Sequence, residues 1–106
     1  MSGDLPMAFD QIVTLMVKPG EGAAFEAAFA ALATKVGASE PDTLDYRLFR
    51  VEGEADAYRV VESYASRDAL AQHMKNPETR EHMAALGPFL AGAPATSILT
   101  LCASAR

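Results

Sequence analysis

Three residues near the stretch "VESYASRDALAQHMKN" (61–76) are of types that move protons: Glu62, Tyr64 and His73. Side chains alternate along a strand, so Val60, Glu62 and Tyr64 point one way while Val61 and Ser63 point the other. Ser66 then starts a helix that folds back over that strand, with His73 about two turns in. If the Glu62/Tyr64 side faces the helices, a carboxylate and a phenol lie beneath His73. A Glu62–His73 hydrogen bond is then within reach. A carboxylate at one imidazole nitrogen fixes the tautomer and leaves the other nitrogen to take or give a proton. The alternative is that the two residues only satisfy each other inside a core, since a buried carboxylate needs a partner.

Other residues could complete a pocket. Tyr46, Arg47 and Phe49, with Tyr58 and Tyr64, offer an aromatic lining, and Met74 and Met83, beside His82, offer an adaptable wall. Ordinary strand propensity and core packing select the same residue types. The segment holds no metal-ligand spacing, because His73 and His82 are separated by a proline break at Pro77. No glycine-rich phosphate loop and no nucleophile elbow is present. The reading therefore includes no metal.

The elements that must position these residues follow from periodicity. "DQIVTLMVKPG" (10–20) reads as a strand stopped by Pro19-Gly20, apolar on both faces: Val13, Leu15 and Val17 on one, Ile12 and Met16 on the other. Residues 21–38 read as a helix, with Phe25, Phe29, Leu32 and Val36 as one stripe and Gly37 at its end. Residues 39–42 form a loop, 43–51 a second strand, 52–56 a hairpin turn and 57–64 a third strand. Ser66 caps the next helix, which carries Ala69, Leu70, His73 and Met74. Asn76-Pro77 restarts the chain as a further helix with Met83, Leu86 and Leu90 as its stripe. Residues 95–103 make the last strand. The order β-α-β-β-α-β predicts an α+β, ferredoxin-like fold: a four-stranded antiparallel sheet with helices on one face. The first strand is apolar on both sides, and Val61 faces away from Val60. A homodimer with sheets packed face to face is therefore expected.

Composition narrows the function classes. The chain has 106 residues, a net charge of −5 and one cysteine, Cys102. One domain over 8–106 is expected, after a flexible start at 1–7. A lone cysteine excludes an internal disulfide framework and a cysteine-based zinc site. Scattered Lys and Arg in an acidic chain argue against nucleic acid as a partner. No apolar run is long enough to cross a bilayer, and "MSGDLPMAFD" lacks the pattern of a signal peptide. A cytoplasmic protein is the expectation.

The stretches "DYRLFRVEGEADAY", "VVESY" and "SRDALAQHMKNPETREHM" together resemble the antibiotic biosynthesis monooxygenase family. A strand ending in Glu and an aromatic residue leads there into a helix with Ser, Ala-Leu, His and then Pro. The resemblance spans roughly residues 8–102. It implies a dimeric α/β barrel and, for many members, cofactor-independent monooxygenation of quinols or polycyclic phenols, with no cofactor and with O2 as co-substrate. Other members degrade haem or isomerise small phosphorylated signals. Haem-degrading members use an Asn on the first strand and a Trp at the end of the third. This chain has neither, with Tyr64 at the aromatic position and His82 near the place of their His. The resemblance supports Glu62, Tyr64 and His73 as site residues. His73 would be the base, Glu62 its orienter, and Arg47 or Tyr64 a holder of the oxyanion. A non-catalytic barrel binding a hydrophobic small molecule, or an isomerase using the same base, are the other readings.

Overall fold

A computed structural model describes residues 8–106; the expected flexible segment 1–7 lies outside the described residues. The elements are β1 (Phe9–Met16), α1 (Gly22–Ser39), β2 (Thr43–Arg50), β3 (Ala57–Tyr64), α2 (Arg67–Lys75), α3 (Pro77–Ala84), a single 3-10 turn (Gly87–Phe89) and β4 (Ala95–Leu99). The strands form one antiparallel sheet in the order β2-β3-β1-β4. This is the ferredoxin-like arrangement, with β1 and β3 in the centre.

The register decides what shares a face. Gln11 lies opposite Glu62, Val13 opposite Val60 and Leu15 opposite Tyr58 across β1 and β3. Tyr46 lies opposite Glu62 and Leu48 opposite Val60 across β2 and β3. These residues form the face beneath the helices. The α1 stripe packs on it: Phe25, Phe29, Leu32 and Val36 are all buried, together with Leu15, Val17, Tyr58 and Val60. Tyr58 lies over Phe25 with ring centroids 5.0 Å apart and donates its hydroxyl to Glu26 at 2.7 Å. Gly22 makes room beside it: a Cβ there would sit 2.8 Å from the Tyr58 hydroxyl, so one of the two would have to shift. The β2–β3 hairpin turns through Gly53 at φ 82°, a left-handed conformation that glycine adopts without steric cost.

Several element ends differ from the sequence reading. The first helix passes through Gly37 and ends at Ser39. Its stop is Pro41, which disfavours helical dihedrals at the residue before it. Glu40 accordingly leaves the helix at φ −128°, ψ 79°. Ser66 caps α2 through its side chain, and Asn76 caps α3 with Pro77 in the first turn, as the sequence indicates. However, α3 stops at Ala84, so Leu86 and Leu90 are not part of its stripe. Gly87-Pro88 breaks the helix there, and Leu86 reaches the core from the following turn. The last strand is also shorter than expected and ends at Leu99.

Candidate active site

Beneath α2 and α3, the helix-covered face of the sheet opens into a cleft of about 320 Å³. Its walls are mainly apolar, built from Val13, Leu15, Phe25, Phe29, Val60, Met83 and Leu86. Five polar side chains reach it, Gln11, Tyr46, Glu62, His73 and Thr96, and none of its lining residues is Lys or Arg. Met74, half exposed, stands at the rim.

Glu62 comes from the third position from the end of β3 and is 6% exposed. Its Oε1 accepts the Tyr64 hydroxyl at 2.5 Å and the Gln11 side-chain amide at 2.8 Å. Tyr64 is fully buried and is not a wall of the cleft; it supports Glu62 from behind. Burial, and then the hydrogen bond donated to Glu62, holds the Tyr64 phenol above the ordinary tyrosine value. Tyr46 is likewise raised, by burial and then by the Glu62 and Glu40 charges. Both phenols are therefore donors at neutral pH. The Tyr46 hydroxyl has no hydrogen-bond partner among the described residues. No buried side-chain polar atom there is left sealed and unpartnered, so this hydroxyl meets the open space of the cleft.

His73 is 2% exposed and lies between two phenol rings, 5.2 Å from Tyr46 and 5.3 Å from Tyr64. The predicted bond to Glu62 is not made. Its Nδ1 pairs instead with Oε1 of Glu40 at 2.6 Å. The reason is local geometry. The turn forced by Pro41 brings the Glu40 carboxylate to the inner side of α2, while Glu62 is held through its Oε1 by Tyr64 and Gln11. Glu40 accepts three more donors: Thr43 Oγ1 at 2.9 Å, Asn76 Nδ2 at 3.3 Å, and the Thr79 hydroxyl. Burial pushes the Glu40 carboxyl up, but the hydrogen bonds from Thr79, His73 and Thr43 outweigh it and hold the group below the usual carboxylate value. The ring's Nε2 has no hydrogen-bond partner among the described residues.

The remaining sequence candidates divide sharply. Tyr46, Glu62, His73, Met74 and Met83 meet in the cleft. Arg47 and Phe49 do not. They alternate with Tyr46 and Leu48, point to the open face, and interact with each other there, the guanidinium 5.0 Å from the ring centroid. Arg47 also pairs with Asp45 at 2.8 Å. Arg47 is thus no oxyanion holder for this cleft. His82 lies on α3 and is not among the cleft's lining residues. Sequence reasoning missed Gln11 and Glu40. Gln11 has a signal, since alternation places it on the same side as Val13 and Leu15. Glu40 has only its position before a proline at a helix end.

The sequence profile of the antibiotic biosynthesis monooxygenase family matches residues 9–85. The chain belongs to that family. A crystal structure of a candidate antibiotic biosynthesis monooxygenase from Caulobacter crescentus CB15 is 40% identical, with 92% of each chain covered and a TM-score of 0.86. SnoaB, a cofactor-independent oxygenase from Streptomyces nogalater, shares the fold at 20% identity, over 92% of this chain and 96% of its own, with a TM-score of 0.80. Rv0793 from Mycobacterium tuberculosis shares it at 24% identity, over 93% and 99%, also with a TM-score of 0.80. No curated protein matches the chain by sequence. Among the described residues, no helix is long and apolar enough to cross a membrane, and no group of three or more His, Cys, Asp or Glu could hold a metal ion.

Proposed function

We propose that the protein is a cofactor-independent monooxygenase that oxidises quinols or related phenolic aromatics with O2, using His73 as the base. The observation that carries this reading is the unpartnered Nε2 of His73 beside an apolar cleft whose polar end also offers a phenol hydroxyl and a carboxylate. Family membership and the naming of SnoaB as a cofactor-independent oxygenase support the reaction type.

The chemistry needs little else. Triplet oxygen reacts slowly with closed-shell molecules, but an electron-rich phenolate can pass it an electron. Removing the phenolic proton is therefore the enabling step, and a positioned base contributes about 10²–10⁴-fold to such a step. His73 Nε2 takes that proton, and the Tyr46 hydroxyl donates to the resulting oxyanion. For hydroquinone itself, one O2 is consumed and hydroxybenzoquinone and one water form. One oxygen atom enters the ring, the other leaves as water, and the substrate supplies all four electrons. The cleft, at about 320 Å³, suits a ligand of one or two rings. With Glu62 in its wall and no cation among its lining residues, it favours a neutral phenol over a phosphorylated compound. That weighs against the isomerase reading for phosphorylated substrates.

The open face of the sheet supports a homodimer as part of this proposal. Met16, Phe49 and Leu99 are exposed there, near Ile12 and Val61. Oxygen uptake with a panel of hydroquinones tests the activity. Uptake by the wild type that disappears in a folded His73→Ala protein is the expected result. Tight binding of phenols without any uptake would instead make this a binding protein.

A further inference from the structure

His73, in the wall of the cleft, is joined to a cradle that the sequence does not advertise. Glu40 stands at the end of α1, yet its two carboxylate oxygens take donors from β2 (Thr43), α2 (His73), the α2–α3 junction (Asn76) and α3 (Thr79). Four donors match the lone-pair sites of one carboxylate. Its side chain is 8% exposed, so none of this is loose surface pairing. An ionised carboxylate can only accept. The 2.6 Å contact with His73 therefore requires the ring proton to sit on Nδ1, which in a neutral imidazole leaves the lone pair on Nε2, the ring nitrogen without a partner among the described residues.

We propose that Glu40, and not Glu62, is the positioning residue of the site. It acts through His73 by fixing the ring's tautomer and orientation so that Nε2 is the proton acceptor. This rests on the proposed role of His73 as base. Glu62, occupied on Oε1 by Tyr64 and Gln11, is left to shape the polar end of the cleft. The cradle is rigid for a stated reason. Asn76 also accepts from the backbone N–H groups of Glu78 and Thr79 through its Oδ1, so the cap of α3 and the carboxylate share one side chain. The groups around the ring are Glu40 at Nδ1, Tyr46 from β2, Tyr64 from β3, and Asn76 and Thr79 beyond Glu40, with Glu62 also lining the cleft. Asp42 and Lys75 border the outer recess that His73 also lines.

The experiment compares wild type with Glu40→Gln. The chain contains two histidines, so the ring nitrogens of ¹⁵N-labelled protein are readily assigned, with His73→Ala identifying the pair. The wild-type His73 ring is expected to carry its proton on Nδ1. In Glu40→Gln the amide can donate to Nδ1, and the proton is expected to move to Nε2. Binding of 4-nitrophenol is expected to stay within about threefold of wild type, while kcat for hydroquinone-driven oxygen uptake falls about a hundredfold or more. Glu40→Asp serves where Glu40→Gln does not fold, with the same tautomer and kcat readouts and the wild-type signs reduced rather than lost. A wild-type ring protonated on Nε2, or on both nitrogens, at the pH of turnover overturns the proposal. So does an altered tautomer with unchanged kcat, or an unaltered one with lost kcat. If neither protein consumes oxygen with any hydroquinone, the monooxygenase reading fails. The ring spectra then still decide whether Glu40 sets the tautomer.

Discussion

The two faces of the sheet are built from the same strands and differ in every functional respect. The face beneath the helices holds Leu15, Tyr58 and Val60 in a continuous core and opens into the cleft with Tyr46, Glu62 and His73. The opposite face carries Arg47, Phe49 and Val61, with Phe49 and Met16 exposed. Alternation assigns each side chain to one face or the other, and a shift of one residue would exchange them. Aromatic and charged side chains are therefore candidates for the chemistry only on the covered face, where donors can be held in place. On the open face the Arg47–Asp45 pair is exposed in the single chain and contributes little by itself.

The sharpest way to break this contrast is at His73. His73→Ala should lower oxygen uptake about a hundredfold or more. Its stability cost should be about 1–3 kcal/mol, from the Glu40 carboxylate left without one donor. Denaturant unfolding beside an oxygen electrode separates the two effects. A variant that keeps its turnover would move the chemistry away from His73. Leu32→Ala, in the α1 stripe and fully buried, should cost about 2–5 kcal/mol in denaturant unfolding. A cost below that range would mean the stripe is less tightly packed than its burial implies.

The open face should answer differently. Phe49→Asp should leave the fold intact and shift the protein to monomer in analytical ultracentrifugation. A wild type that sediments as a monomer removes the homodimer from the proposal. Acid sensitivity sharpens the covered side. The folded state holds the Glu40 carboxyl below its ordinary value of 4.5. Its contribution is thus complete above that pH and is lost as pH falls through the lowered folded value. Glu40→Gln should flatten this part of the stability profile in acid denaturation. An unchanged acid limb would mean that the cradle adds nothing at that pH. The smallest effect is expected for Arg47→Ala: within about 0.5 kcal/mol of wild type, with turnover unchanged. A loss of activity there would bring the open face into the site.

Much of this was legible from residue patterns because the controlling interactions are local. The third strand, the Ser66 cap and the Asn76-Pro77 restart depend on neighbours a few residues away, and each appears where the pattern places it. Tyr46 and Arg47 could not be sorted in the same way. β2 is irregular between Thr43 and Asp45, and each of its sides carries both a charged and an aromatic residue: Tyr46 and Arg50 on one, Arg47 and Phe49 on the other. The partner of His73 was less accessible still. Two carboxylates were available, one eleven residues away by sequence and the other 33, and nothing in composition or spacing ranks them.

By itself the sequence determined the order of the elements, the parity that puts Glu62 and Tyr64 on one side of their strand, and a histidine on the helix that follows. Periodicity and capping are sufficient for that, because they act over one or two turns. Only the tertiary structure decided that His73 pairs with Glu40, that Tyr46 and not Arg47 meets the cleft, and that Tyr64 stands behind Glu62. Hydrogen bonds discriminate over tenths of an ångström and fail beyond about 3.5 Å. Distances that fine are set by how separate elements pack, here by where Pro41 ends α1 and how Asn76 joins α2 to α3.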